Sequence, residues 1–286
     1  MNILVIGGTG TVGSQVVRDL LAKQVGVSVL SRNPDKAAKL HPGAKIVKGD
    51  LLDPATVRSA FSGVDSVFML NALSPTETNE GLMGVNGARL AGVKKFVYMS
   101  VQALTIAPHL PHFGSKIPVE IALKASGVPY TILQPNNFYQ NDFWFKDVIL
   151  KYGIYPQPLG PKGASRVDVR DIADAAINAL TGSRFDGKSY ALVGPESMTG
   201  VRTAEIWSQV LGRPIAYGGD DMDAWEKQAA QTLPPWLAFD FRMMYEFFHK
   251  GGFVATPAEV ASTAEIVGHP LRRFEDYAAE TAKVWK

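Results

Sequence analysis

Asn2-Ile3-Leu4-Val5-Ile6-Gly7-Gly8-Thr9-Gly10-Thr11-Val12-Gly13 carries an apolar, β-branched run straight into a glycine-rich turn, and the amphipathic stretch Ser14 to Lys23 follows. The run predicts a buried strand, the glycines a tight turn, and the segment after them a helix. In Gly8-x-Gly10-x-x-Gly13 the glycines allow the turn, the approach of backbone amides to a pyrophosphate, and close packing of the helix on the sheet. Gly7 makes the spacing equally G-x-x-G-x-x-G. The helix N-terminus then presents unsatisfied N–H groups and the positive end of its dipole to an anion. Glycines also occur in plain strand-to-helix loops; the strand before and the helix after make this one a dinucleotide turn.

Apolar runs continue to alternate with helical patterns through the first two-thirds of the chain, which indicates βαβ units and a parallel sheet. Strands are expected at 2–6, 25–31, 44–48, 66–70, 94–100 and 130–134. Val67-Phe68-Met69-Leu70 and Phe96-Val97-Tyr98-Met99 are continuously apolar, as strands buried on both faces must be. Right-handed crossovers make this an α/β fold with a doubly wound parallel Rossmann sheet, whose ligand lies at the carboxyl ends of the strands. After Pro135 the rhythm changes. Residues 136–152 read as an aromatic-rich helical stretch, 153–163 as a Pro/Gly-rich excursion, and 165–169 as a returning strand before a helix at 171–180 and a strand at 188–193. The expected division is therefore a Rossmann domain of 1–135 plus about 164–193, and a smaller, mostly helical substrate domain of about 136–163 plus 194–286.

Composition agrees with a dinucleotide enzyme and excludes other classes. The chain has 286 residues, 46% of them hydrophobic, enough for a large core. With 29 basic and 27 acidic residues it carries no footprint for nucleic acid or anionic membrane. No apolar run reaches the ~20 residues of a membrane span. The absence of cysteine rules out thiol catalysis, and a chain opening on a core strand is expected to carry no signal peptide; a cytoplasmic protein is the resulting expectation. The five histidines are scattered, so no metal site is expected.

The end of the second strand bears on the cofactor. NAD-binding Rossmann folds usually place an acidic residue there to bind the ribose 2′-hydroxyl, but this chain has Ser31-Arg32-Asn33-Pro34. Arg32 suits a 2′-phosphate, which favours NADP (NADPH) over NAD; the competing reading is a solvated loop charge. Asp50 and Leu51 follow the third strand, where adenine is expected, although a loop aspartate also serves as a helix cap. Leu70, Asn71 and Ala72 after the fourth strand are expected to line the groove. Gly7, Thr9, Gly10, Thr11 and Val12 of the turn, Ser100 after the fifth strand, and Pro135 and Asn137 after the sixth complete the expected cofactor contacts.

Tyr-x-x-x-Lys, the usual acid–base pair of short-chain dehydrogenases, is missing: no tyrosine has lysine four residues on. The corresponding region reads His112-Phe113-Gly114-Ser115-Lys116. A spacing of four places His112 and Lys116 on one helical face. Lys116 can hold the nicotinamide ribose and supply a proton, and His112 can do acid–base work near neutral pH. Their competing readings are a solvated helix charge and a surface loop histidine.

These residues together resemble the NmrA-like branch of the atypical short-chain dehydrogenase/reductases along essentially the whole chain. The carriers are Gly7 to Gly13, Arg32-Asn33-Pro34, Gly49-Asp50-Leu51, Lys116 with Pro118-Val119-Glu120, Ser126 to Pro135, Val167-Asp168-Val169-Arg170-Asp171-Ile172-Ala173-Asp174 and Phe274-Glu275-Asp276-Tyr277. The resemblance implies a Rossmann domain, a small helical domain and a substrate crevice between them. It implies two kinds of activity: NADPH-dependent reductases of quinones, dyes and plant phenylpropanoids, and NADP-binding regulators without known catalysis. In the plant enzymes a lysine of the helix after the fifth strand is the acid–base, and Lys116 stands at the matching place.

The leading expectation is an NADPH-dependent oxidoreductase passing hydride to a flat apolar acceptor such as a quinone or enone, a step that needs orientation and exclusion of water more than acid catalysis. Phe138, Phe143, Trp144, Tyr152 and Tyr155 are expected to wall the acceptor pocket, and Trp236 to Phe248 to close it from the small domain. Most such aromatics alternatively form only the small domain's core. The rival expectation is a redox sensor whose NADP occupancy alters its grip on a protein partner. An open apolar cavity at the nicotinamide end separates the two, since a sensor has no need of one.

Overall fold

The apolar β-branched runs pair into a seven-stranded sheet in the order β3-β2-β1-β4-β5-β6-β8, parallel throughout. The computed structural model describes residues 1–285. Along the chain run β1 (Asn2–Ile6), α1 (Thr11–Ala22), β2 (Gly26–Ser31), α2 (Pro34–Leu40), β3 (Lys45–Lys48), α3 (Pro54–Ala60), β4 (Ser66–Met69), α4 (Glu77–Ala91) and β5 (Lys95–Met99). Then come α5 (Pro111–Gly114), α6 (Ile117–Ala125), β6 (Tyr130–Pro135), a 3-10 segment (Tyr139–Phe145), α7 (Lys146–Tyr152), β7 (Ile154–Tyr155), α8 (Val169–Thr181) and β8 (Lys188–Leu192). The remainder is α9 (Gly200–Leu211), β9 (Ala216–Tyr217), α10 (Met222–Ala229), α11 (Pro235–His249), α12 (Pro257–Val267) and α13 (Phe274–Trp285). None of these helices is long and apolar enough to cross a membrane.

Both sheet faces are covered, which explains the unbroken apolar strands. On one side Val12, Val16, Ile172 and Ala176 pack with Val5 and Phe68; on the other Val57, Val85, Val119 and Leu123 pack with Leu4 and Tyr98. A third cluster, around Trp207, Phe248, Phe253, Phe274 and Tyr277, lies apart from the two on the sheet faces and also takes in Leu110 and Phe113. There Trp207 stacks on Trp285 with ring centroids 4.6 Å apart. β7 and β9 form a separate two-stranded parallel pair.

Three stretches differ from their sequence-based expectation. Residues 165–168 do not join the sheet and Val169 already opens α8: β8 occupies the place beside β6, and Val167 forms only an isolated bridge with Phe138. The aromatic stretch 136–152 divides into the 3-10 segment and α7. Helix α12, within the part expected to belong to the smaller unit, places Ile266 and Val267 in the core under α8 and β8.

Candidate active site

A crevice opens where the connections from β1 and β4 part to opposite ends of the sheet. Their register sets Ile6 beside Met69, so the glycine turn and Leu70-Asn71-Ala72 leave the sheet together. Gly7 has φ +83°, and a Cβ there would collide with the carbonyl of Leu70. A Cβ at Gly13 would collide with the carbonyl of Gly7. Gly10 is different, because a Cβ would meet only Gly7 O, at 3.4 Å, and would otherwise face the open cleft. Gly7 and Gly13 thus allow the turn to form, while Gly10 keeps a cradle clear. No side chain caps α1, so the first-turn N–H groups are left for a ligand.

Two cavities share this floor through Leu70 and Asn71. One, of about 340 Å³, is lined by Gly7, Thr9, Arg32, Asp50, Leu51 and Ala72 among others. Asp50 accepts from the N–H of Leu52, and the cap of α3 is instead Asp53, which accepts from Ala55 N–H at 3.0 Å. The capping alternative for Asp50 therefore falls away. Lys36, in the first turn of α2, lines the same cavity as Arg32 and adds a second cation that the sequence reading did not single out.

The second cavity, of about 400 Å³, is lined by Thr11, Val12, Ser100, Pro135 and Asn137, by His112 and Lys116, and by Phe138 and Trp144. Phe113, Phe241, Met244, Phe248 and Phe253 make it predominantly apolar. His112 and Lys116 do not share one helix as their spacing suggested: His112 is in α5 and Lys116 is the N-cap of α6, yet both line this cavity. Lys116 is ion-paired with the buried Glu77 of α4. His112 gives its Nδ1–H to Asp240 of α11 at 2.8 Å.

Several of the aromatics expected at the pocket stand elsewhere, among them Tyr152, which is largely exposed and outside the lining. Phe143 packs edge-on against Trp285 at 5.6 Å and lies half exposed, outside the cavity lining. Trp236 is also partly exposed, near the start of α11 and away from the lining. Tyr155 is fully buried behind the wall, where its hydroxyl bonds Gln157 at 2.8 Å and accepts from Arg166 at 3.1 Å. Its hydroxyl must be satisfied once buried, and the buried Arg166–Asp142 pair satisfies it away from the cavity. Burial also pushes the Tyr155 phenol well up. Gln157 does line the cavity and donates to Tyr245 at 3.3 Å; burial pushes the Tyr245 phenol up to about 12.

The residues present fit a bound dinucleotide. Asn71 is buried with neither side-chain polar atom hydrogen-bonded, and the buried Ser100 Oγ is likewise unpaired. Unpaired buried polar groups are rare, and here both line the cleft, where a ligand completes them. Asp240, Glu77, Gln157 and Lys36 are the residues that sequence reasoning missed. Asp240 had a legible signal: a lone acid at the i position of an otherwise apolar i, i+4, i+8 stripe with Met244 and Phe248. Glu77 had none, since its partner lies 39 residues away.

Fold and cleft define a Rossmann-type dinucleotide-binding protein with an apolar chamber at one end of its groove. The chain belongs to the NmrA-like family, whose model matches residues 1–278. It is 32% identical over 284 residues to the NAD(P)H azoreductase of Xenophilus azovorans, covering 96% of each chain. It is 33% identical over 285 residues to the (4-alkanoyl-5-oxo-2,5-dihydrofuran-3-yl)methyl phosphate reductase of Streptomyces griseus, covering 99% of each. Among solved structures it is similar to the NADPH-dependent quinone oxidoreductase QOR2 of Escherichia coli in complex with NADPH. That likeness has a TM-score of 0.87 at 24% identity over 98% of this chain and 99% of the other, and it bears on the fold.

Proposed function

We propose that this protein is an NADPH-dependent reductase that transfers hydride to a flat, apolar acceptor of the quinone, enone or azo kind. The carrying observation is the second cavity: about 400 Å³, walled by Phe138, Trp144, Phe241 and Phe248, and continuous with the dinucleotide groove at Leu70-Asn71. A sensor that signals only by cofactor occupancy has no use for such a chamber. Relatives named as reductases over nearly the full chain support the same reading.

Bound NADPH would supply the hydride. Thr9, Thr11 and Val12 would hold the pyrophosphate on backbone N–H groups, with Gly10, whose own N–H goes to the Gly7 carbonyl, leaving room for it; Arg32 and Lys36 would hold the 2′-phosphate, and Asn71 and Ser100 would bond the nicotinamide half. Lys116, fixed by Glu77, would offer its remaining N–H donors to the ribose. Phe138, Phe241 and Phe248 would wall the acceptor and keep water away, while Trp144 on the same lining is itself largely exposed.

The test is NADPH oxidation by the purified protein against a panel of quinones, enones, azo compounds and dyes. Turnover well above the uncatalysed rate with at least one flat acceptor is expected. An inert protein that still binds NADPH across the whole panel would overturn the reading in favour of the sensor.

A further inference from the structure

Hydride transfer by itself gives no task to a carboxylate buried beside the acceptor chamber. Asp240, on α11 of the smaller unit, is completely buried. Both of its oxygens lie 2.8 Å from Nδ1 of His112, and Oδ2 also accepts the backbone N–H of His112 at 3.2 Å. The nearest arginine in sequence, Arg242, is engaged elsewhere, with Asp223, Glu226 and Glu246. A buried carboxylate is costly unless a partner satisfies it, and His112 is the partner that this one has. Phe113 and Phe241 meet the imidazole edge-on at 4.6 and 5.8 Å and hold its plane.

A carboxylate oxygen accepts only, so Nδ1 carries the hydrogen in this pair. Nε2 is left without a hydrogen-bond partner among the described residues, on a ring that lines the chamber. The imidazole can therefore exchange a proton with the chamber only at Nε2, and the residue that fixes this comes from the other structural unit.

We propose that His112 and Asp240 form a proton-delivering dyad, with His112 as the catalytic acid and Asp240 as its positioning residue. This assigns the chamber to acceptors whose reduction leaves negative charge on oxygen or nitrogen. The proposal rests on the reductase reading above. When a quinone accepts hydride, a C–H bond of the dihydronicotinamide breaks, the hydride bonds to one quinone oxygen as the ring becomes aromatic, and the electron pair settles on the other oxygen. The protonated ring passes its Nε2 hydrogen to that oxygen, giving the hydroquinone and the neutral Nδ1–H tautomer, which takes up a solvent proton at Nε2 before each turnover. In an azo acceptor the hydride joins one nitrogen and the proton the other, giving the hydrazine. A triarylmethyl cation is different, because hydride at its central carbon neutralises it and no proton is required.

The difference between these acceptors is the test. Single-turnover rates are measured for the parent, His112→Gln and Asp240→Asn proteins, loaded with NADPH, against a naphthoquinone and a cationic triarylmethane dye. The quinone rate is expected to fall by ~10², the usual scale of general acid catalysis, and the ratio of dye rate to quinone rate to rise by a comparable factor. In parallel, ¹⁵N-detected imidazole spectra of the cofactor-free protein are expected to show His112 as the Nδ1–H tautomer in the parent, with that preference lost in Asp240→Asn. Equal losses on both acceptors would make the pair merely structural and overturn the proposal, as would an Nε2–H tautomer in the parent. A parent inert towards both acceptors and the wider panel would instead overturn the underlying reductase reading.

Discussion

Lys116 and Glu77 form an ion pair buried on both sides, their side chains only 8% and 2% exposed. Glu77 begins α4 and Lys116 caps α6, so the pair ties together two helices on one face of the sheet. Ser115 extends the link by donating to Oε2 of Glu77 at 3.1 Å.

Removing one partner strands the other charge. Glu77→Ala is expected to destabilise the fold by ~3 to 5 kcal/mol, whereas Glu77→Leu with Lys116→Met should come close to the parent, because burying two charges gains little over burying two apolar groups. Urea unfolding midpoints of the three proteins decide this. A single variant as stable as the parent would refute it.

Catalysis can be separated from that stability effect. With both charges neutralised in Lys116→Met/Glu77→Gln, no buried carboxylate remains uncompensated, yet the ribose has lost its ammonium. Turnover is expected to fall by ~10² or more, the scale of positioning effects. Steady-state kinetics with the best acceptor would show this, and full activity would remove Lys116 from the machinery.

Arg32 and Lys36 line the same end of the groove, so the preference for NADPH over NADH should rest on both. A charge-assisted phosphate contact contributes ~1.5 to 3 kcal/mol, so Arg32→Ala should weaken NADPH by ~10- to 100-fold and leave NADH nearly unchanged. Lys36→Ala should act in the same direction. Calorimetric titration of both cofactors measures the difference; equal affinities in the parent would contradict it.

The glycines should respond in opposite ways. A side chain at Gly10 faces the open cradle, so Gly10→Val is expected to abolish binding of either cofactor and keep the parent's melting temperature. At Gly13 the same side chain meets the Gly7 carbonyl, so Gly13→Val should lose the fold itself. Circular dichroism melts beside cofactor titrations distinguish them.

His269 supplies a pH dependence away from the site. Its hydrogen bond to Asp174, and then that to the Pro270 carbonyl, raises its affinity for a proton above the ordinary value, against opposing contributions from partial burial and then from Arg272. The folded state therefore binds this proton more tightly than the unfolded chain does. The stability gained is fully present below about pH 6.5 and is lost as the pH rises through the raised folded value. Melting temperatures between about pH 5.5 and about pH 8.5 should fall with rising pH, and His269→Gln should flatten that slope. The ring is partly exposed, so the change is expected to be small.

Local residue pattern made the Rossmann half legible. Continuous β-branched runs have one solution, burial on both faces, and glycines spaced for a turn leave little choice about where an anion sits. Arg32, Asp50 and Asn71 could be placed because each lies within two residues of a strand's end, and in a parallel sheet every strand's carboxyl end reaches the same edge. The aromatic third was less legible: Tyr155, Phe143, Trp144 and Trp236 look alike in sequence, and only packing separates a wall from a core.

The chain alone determined the strands, the turn and the edge of the sheet that bears the groove, because burial on both faces shows in the local residue pattern and the turn has a backbone geometry that few residues permit. Tertiary structure decided the chemistry at the far end of that groove. Glu77 meets Lys116 across 39 residues and Asp240 meets His112 across 128, and no periodicity carries information over such separations. Whether a buried charge finds its partner is settled only when the helices that bear them pack, since the energy of the pair depends on distance and on exclusion of water.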